Sequence, residues 1–222
     1  MTLQSAGVTT LDLPSFIQEN LPLTPVPSVP EIRLYTAHPG SGLRRLERQG
    51  KENAAPYWAY PWAGGAALAR YILDRPQSVR GRRVLDLGAG SGLVAIAAAK
   101  AGASDVLAAE IDRNALAALE LNLAANAVSA TVIDHDIIDG EPPAVDLVLV
   151  GDLFYERRLA KRVTAFLDCC IAAGIEILVG DLGRKDLPLS RLRVIANYPV
   201  SDFGDARGVS TRPGRVFAFE HA

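Results

Sequence analysis

The stretch Arg82-Arg83-Val84-Leu85-Asp86-Leu87-Gly88-Ala89-Gly90-Ser91-Gly92-Leu93 leaves few folds open to this chain. Two arginines precede a run with apolar Val84, Leu85 and Leu87, three glycines follow, and Leu93-Val94-Ala95-Ile96-Ala97-Ala98-Ala99 reads as a helix. A buried strand therefore enters a helix through a tight turn. Glycine at alternate positions lets the backbone adopt conformations closed to other residues, and removes Cβ atoms where a ligand must lie against the main chain.

The spacing narrows the ligand. A dinucleotide fingerprint needs G-x-G-x-x-G, but the third glycine, Gly92, comes one place early and Leu93 stands where the pattern requires glycine. A phosphate-cradling loop needs Gly-Lys-Ser/Thr at its end, and no lysine occurs between Lys51 and Lys100. The string Asp-Leu-Gly-Ala-Gly-Ser-Gly instead resembles motif I of the class I S-adenosylmethionine-dependent methyltransferases. That resemblance implies S-adenosyl-L-methionine as cofactor and Asp86, Gly88, Ala89, Gly90 and Gly92 as its binding residues. Asp105-Val106-Leu107-Ala108-Ala109-Glu110 reads as the next strand, placing Glu110 at its carboxyl end, where ligands bind in open α/β sheets. Glu110 is expected to accept the ribose hydroxyls, with Asp112 beside it; the alternative is that both acids only cap the helix starting near Arg113.

Strand and helix signals then alternate as a parallel sheet demands. Residues 113–126 carry alanine and leucine at helical spacing, and residues 130–136 form a third strand ending in acids. Asp136 there is expected to meet the adenine amino group, or simply to solvate a loop. Residues 145–152 form a fourth strand, 156–170 a helix and 175–181 a fifth strand. The tail supplies two more strands, 193–200 and 215–220, with no helix between them, which makes the last one antiparallel. The expected fold is α/β: a Rossmann-like seven-stranded mixed sheet, order 3-2-1-4-5-7-6, flanked by helices. Residues 56–222 would form this domain and residues 1–55 an N-terminal extension and arm, its start frayed and its centre held extended by Pro22, Pro25, Pro27 and Pro30.

Two further regions carry chemistry. Both tryptophans and three of the six tyrosines fall within residues 56–73, ahead of an apolar helix that opens on Gly64-Gly65. This is either a rigid wall for a cofactor carboxylate or substrate chain, or a hydrophobic staple fixing the helix to the sheet. The fourth strand ends in Asp152-Leu153-Phe154-Tyr155, a carboxylate and a phenol at a second ligand-binding edge; helix capping would explain the aspartate but not the tyrosine.

The Asp152-Leu-Phe-Tyr155 string resembles the D-x-x-Y motif of seven-stranded protein lysine methyltransferases. With the arm Pro-Val-Pro-Ser-Val-Pro-Glu-Ile-Arg-Leu, the segment Pro-Tyr-Trp-Ala-Tyr-Pro-Trp-Ala-Gly-Gly and the turn Val179-Gly-Asp-Leu-Gly-Arg-Lys, the chain is similar to the electron transfer flavoprotein β-subunit lysine methyltransferase family over residues 15–222. Leu182 replaces a proline frequent in that family's turn. The resemblance implies a protein-lysine N-methyltransferase acting on electron transfer flavoprotein β subunit, with a ribosomal protein as another substrate. Methyl transfer needs a neutral, aligned amine, so Asp152 and Tyr155 are expected as catalytic residues that orient the lysine nitrogen, with Trp58 and Phe154 at the substrate and Trp62 at the cofactor desolvating it. A small-molecule N-methyltransferase and a non-catalytic cofactor-binding module are the rival readings.

Composition sets limits on partners. A net charge of −2 provides no whole-molecule field for nucleic acid or anionic membrane. Basic clusters at Arg44-Arg45, 80–83 and 157–162 read as solvated surface, the last with the option of facing a partner. Cys169 and Cys170 are adjacent, with no spacing for a zinc site or disulfide framework, so no metal is expected. The first 30 residues contain no lysine or arginine, so neither secretory nor transit signal is expected, nor a bilayer-spanning run. A bacterial cytoplasmic protein is the expectation; the pattern leaves oligomeric state open.

Overall fold

The computed structural model describes residues 12–43, 55–201 and 211–221; Arg44-Arg45 and the start of the arm lie outside them. The N-terminal part contains helix α1 (Leu13–Asn20) and strands β1 (Leu23–Val26) and β2 (Val29–Tyr35). Helix α2 (Ala63–Asp74) leads into β3 (Arg83–Leu87), α3 (Leu93–Lys100), β4 (Asp105–Ala109), α4 (Arg113–Ala125) and β5 (Thr131–Ile133). Then come β6 (Leu147–Gly151), α5 (Arg157–Ala172), β7 (Glu176–Asp181), β8 (Leu192–Ser201) and β9 (Thr211–Phe219).

Strands β3 to β9 form one sheet in the order β5-β4-β3-β6-β7-β9-β8. Counted from β3, this is the expected 3-2-1-4-5-7-6. Leu85 of β3 pairs in parallel with Leu107 on one side and Val148 on the other. Only β9 runs antiparallel to its neighbours, β7 and β8. Both faces of the sheet are covered, which is why its strands read as continuous apolar runs. Val84, Leu147 and Leu149 pack with α2, α3 and β2, while Leu85, Leu87, Val148 and Val150 point the other way into α5. A third apolar cluster joins α1, α4 and Trp58.

The arm differs from the extended strap expected of its prolines. β1 and β2 pair antiparallel across the two-residue turn Pro27-Ser28, with Leu23 opposite Tyr35. Proline lacks an N–H, and in a two-stranded ribbon each strand has an outward side that needs no donor. The outer edge of β2 is in turn satisfied by two side chains of α4. Asn122 Oδ1 accepts from Tyr35 N at 2.9 Å, and Asn126 accepts from Arg33 N at 3.0 Å while donating to Arg33 O at 2.6 Å. Asn122 is fully buried and also donates to Ser91 O at 2.9 Å, tying the hairpin to the glycine turn.

Candidate active site

The carboxyl ends of β3, β4 and β6 converge on one edge of the sheet. Gly88, Gly90 and Gly92 have φ values of +72°, +53° and +84°, so the turn after β3 requires residues that tolerate the left-handed region. Their surroundings differ. A Cβ on Gly88 would meet Leu153 Cδ1 at 2.8 Å and one on Gly92 would meet Leu119 Cδ1 at 2.5 Å, whereas one on Gly90 would have nothing within 4 Å. At Gly88 and Gly92 a side chain would have to displace the end of a leucine, and Gly90 borders open space.

Asp86, 2% exposed, accepts from Ala95 N at 2.9 Å. Gly92 is the N-cap of α3 and has no side chain to offer, so the aspartate of the preceding strand satisfies the orphan N–H of the helix's third residue. Burial pushes the Asp86 carboxyl up to about 7; the Ala95 N–H opposes that rise and nearby Glu110 adds to it. Glu110 stands over the turn: its Oε2 accepts from Gly90 N at 2.8 Å, and its Oε1 accepts from Ile111 N at 2.7 Å and Asp112 N at 2.9 Å. Asp112 caps α4 through Asn114 N at 2.8 Å. Asp136 lies beyond β5, paired with Arg162 at 2.9 Å and accepting from Ile138 N at 3.1 Å. Ala89 is buried within the turn.

The end of β6 repeats the logic of β3. Asp152 Oδ2 accepts from Gly65 N at 2.6 Å, the third residue of α2, whose N-cap, Trp62, makes no side-chain cap. Asp152 therefore caps a helix 87 residues away in sequence. The helix that follows it, α5, has Glu156 as its N-cap, so capping α5 does not account for the aspartate. Asp152 adopts φ +55°, a region a non-glycine residue enters at a cost of roughly 1 kcal/mol. Its Oδ1 accepts from Arg184 Nη1, which also reaches Asp181 Oδ2 at 3.1 Å. Asp181 is fully buried and accepts from Gly183 N at 2.6 Å and Arg184 N at 2.8 Å. Burial pushes Asp152 above the usual carboxylate range; Arg184 and the Gly65 N–H counter it, and Asp181 adds to the rise.

The aromatic residues divide differently from the expected set. Trp58 is 3% exposed among Phe16, Ile17, Ala115 and Ala118, and Phe154 is completely enclosed between β6 and α5. Both are core residues in this structure, which removes them from the substrate side. Tyr155 is 54% exposed and its ring centroid lies 5.8 Å from that of Tyr57, which in turn meets Trp62 edge-on at 5.9 Å. Trp62 Nε1 donates to Tyr57 O at 2.7 Å, fixing the indole. Tyr57, Trp62 and Tyr155 thus form a continuous aromatic wall. Burial, with Glu110 and Glu156 nearby, raises the Tyr155 phenol, so it remains a hydrogen-bond donor near neutral pH. Sequence reasoning did not single out Tyr57, Asp181 or Arg184. The Gly-Asp-x-Gly-Arg string at 180–184 was visible, but not that it folds back onto Asp152.

Taken together, the open space at Gly90, the carboxylate above it and the aromatic wall suit a cofactor laid on bare main chain with a substrate chain entering alongside. Residues 67–151 match the family model for ribosomal protein L11 methyltransferase (PrmA). The electron transfer flavoprotein beta subunit lysine methyltransferase of Xenopus laevis is 38% identical over 212 residues, covering 93% of this chain and 86% of that protein. The Homo sapiens protein of the same name is 39% identical over 176 residues, covering 78% and 67%. Among solved structures, a 16S rRNA methyltransferase of T. thermophilus in complex with AdoMet and guanosine superposes with a TM-score of 0.52 at 21% identity, covering 73% of this chain and 44% of that one, a likeness of fold alone. These relatives from a frog and a human give a bacterial location no support, and among the described residues no helix is long and apolar enough to cross a membrane. With the sheet order, the glycine turn and 38% identity across 93% of its length, the chain belongs to the electron transfer flavoprotein β-subunit lysine methyltransferase family of S-adenosylmethionine-dependent protein-lysine methyltransferases.

Proposed function

We propose that residues 56–222 form the catalytic unit of an enzyme that methylates lysine side chains of electron transfer flavoprotein β subunit, residues 1–55 being an extension of it. A ribosomal protein is the second candidate substrate, and a reducing compartment suits the free Cys169 and Cys170. The observation that carries the reading is the position of Tyr155 beside Tyr57 and Trp62 at the same sheet edge as Glu110 and Gly90.

In this reading Gly90 and Glu110 would hold the adenosyl part of S-adenosylmethionine, Asp86 would brace the turn, and Trp62 would cover the far end. Ala89 and Asp112 would flank the same site, and Asp136 would reach the adenine edge only by sharing its carboxylate with Arg162. When bound, the cofactor supplies an electrophilic methyl group on a sulfonium centre. The protein's task is to align a neutral amine with it and to exclude water. Free lysine has a pKa of about 10.4, so the amine must be desolvated, which Tyr57, Trp62 and Tyr155 do by enclosing its aliphatic stem. Asp152 orients the nitrogen by accepting one of its hydrogens, and Tyr155 donates toward the edge of the same space.

The test is mass spectrometry of purified electron transfer flavoprotein, a ribosomal protein extract and free amines, each incubated with enzyme and labelled cofactor. Methyl-lysine on the β subunit is expected. Asp152→Asn is expected to cut turnover roughly ten- to a hundredfold, the cost of one oriented hydrogen bond to a charged group, while cofactor affinity survives. Faster methylation of free amines than of protein would overturn the reading.

A further inference from the structure

In this structure the carboxylate assigned to the substrate amine is not free: its two oxygens are already committed, one to Gly65 N and one to Arg184. A bare carboxylate would stabilise a lysine ammonium and so oppose the proton loss that methyl transfer requires. Something must cancel its charge without removing its acceptor geometry. Arg184 is the cation placed to do so, and it is itself held in place. Its backbone N–H and that of Gly183 bind Asp181, and its guanidinium spans Asp152 and Asp181.

We propose that Arg184 is a positioning residue that neutralises Asp152 and thereby lowers the pKa of the substrate lysine, so that the amine enters the reaction uncharged. The inference rests on the lysine-methylating reading of the site.

The groups facing Asp152 can be named from each packed element. At the end of β7 and in the turn after it these are Asp181 and Arg184, and on α2 the backbone N–H of Gly65, while Glu110, Glu156 and the Tyr57 phenol face the neighbouring Tyr155. Arg184 is the one cation among them. With it present, Asp152, Asp181 and Arg184 sum to one negative charge, and without it to two. The proton shared by the Asp152 and lysine pair leaves to solvent before transfer, whichever of the two holds it, and a nearby cation favours that departure in either case.

The experiment is the pH dependence of kcat for methylation of the β subunit, with cofactor affinity by calorimetry and melting temperature as independent readouts. Arg184→Gln is expected to move the acidic limb of the profile up by about one pH unit, and Arg184→Lys, which restores the cation, to return it toward wild type. Asp181→Asn keeps an acceptor oxygen for the turn but removes one negative charge. It is expected to move the limb in the opposite direction, and serves as the test if Arg184→Gln does not fold. Unchanged limbs in folded variants that still bind cofactor would overturn the inference. Absence of lysine methylation by wild-type enzyme would instead overturn the reading beneath it.

Discussion

Gly90 differs from its two neighbours in having nothing within 4 Å of where a side chain would begin, so it can be changed without disturbing the core. Gly90→Arg keeps a φ of +53°, a strain of roughly 1–2 kcal/mol, and projects into the space expected to receive the cofactor. Calorimetry with S-adenosylhomocysteine should show binding lost while the far-ultraviolet spectrum is retained; wild-type affinity would remove the glycine turn from the site. Glu110→Ala should weaken binding by about tenfold or more, through loss of charged hydrogen bonds worth roughly 1.5–3 kcal/mol. The placement of Gly90 and Glu110 beside strand ends is legible because each sits within a few positions of an apolar run. Tyr57 and Arg184 are not legible in this way, because their value comes from folding onto Tyr155 and Asp152, 98 and 32 residues away. Trp58 and Phe154 failed for the opposite reason: an aromatic beside a site motif carries no mark of which side of the backbone it will face.

Helix α2 meets β7 with almost no gap, and this contact depends on glycine in both elements. A Cβ on Gly180 would lie 2.2 Å from Gly64 O, and one on Gly64 would lie 2.4 Å from Gly180 O. Backbone atoms cannot swing aside, so Gly180→Ala must push the helix outward. Overpacking of this kind costs about 1–3 kcal/mol. The displacement also carries Gly65 N away from Asp152, so turnover should fall by more than the loss of folded protein accounts for; proportional losses would show that the contact is structural only. The Gly-Gly helix start was visible in the sequence, but its partner was not, since Gly64 and Gly180 come together only once β6 and β7 are adjacent. The arm illustrates the same limit. Four prolines argue for an extended strap, yet the edge of β2 is completed by Asn122 and Asn126 from a helix some 90 residues later.

Across the whole molecule, two helices at the ligand edge are capped by aspartates from another element, Asp86 of β3 on α3 and Asp152, just after β6, on α2. This ties the helices to the site, at the cost of keeping two carboxylates out of water. The cost has a pH signature. Burial raises Asp86 from 3.8 to about 7, so the native protein holds a proton there that the unfolded chain has already released; Asp152 is raised too, against the opposing pull of Arg184. Stability must then fall as pH rises from about 4 toward 7, and level off above it. The Asp86 shift alone is worth on the order of 4 kcal/mol across that window, with about 2–4 °C of melting temperature per kcal/mol for a chain of this size. Glu31 and Asp136, held low through ion pairs with Arg70 and Arg162, act with the opposite sign but only below their unfolded values of 4.5 and 3.8, so they do not contribute above about pH 5. Thermal melts of the cofactor-free protein from pH 5 to 8 should therefore decline. Asp86→Asn, which keeps an acceptor oxygen for Ala95 N but cannot ionise, should flatten the decline and melt higher than wild type at pH 8. Parallel profiles for the two proteins would mean that Asp86 is ionised in the native state throughout, its charge fully balanced by the first turn of α3.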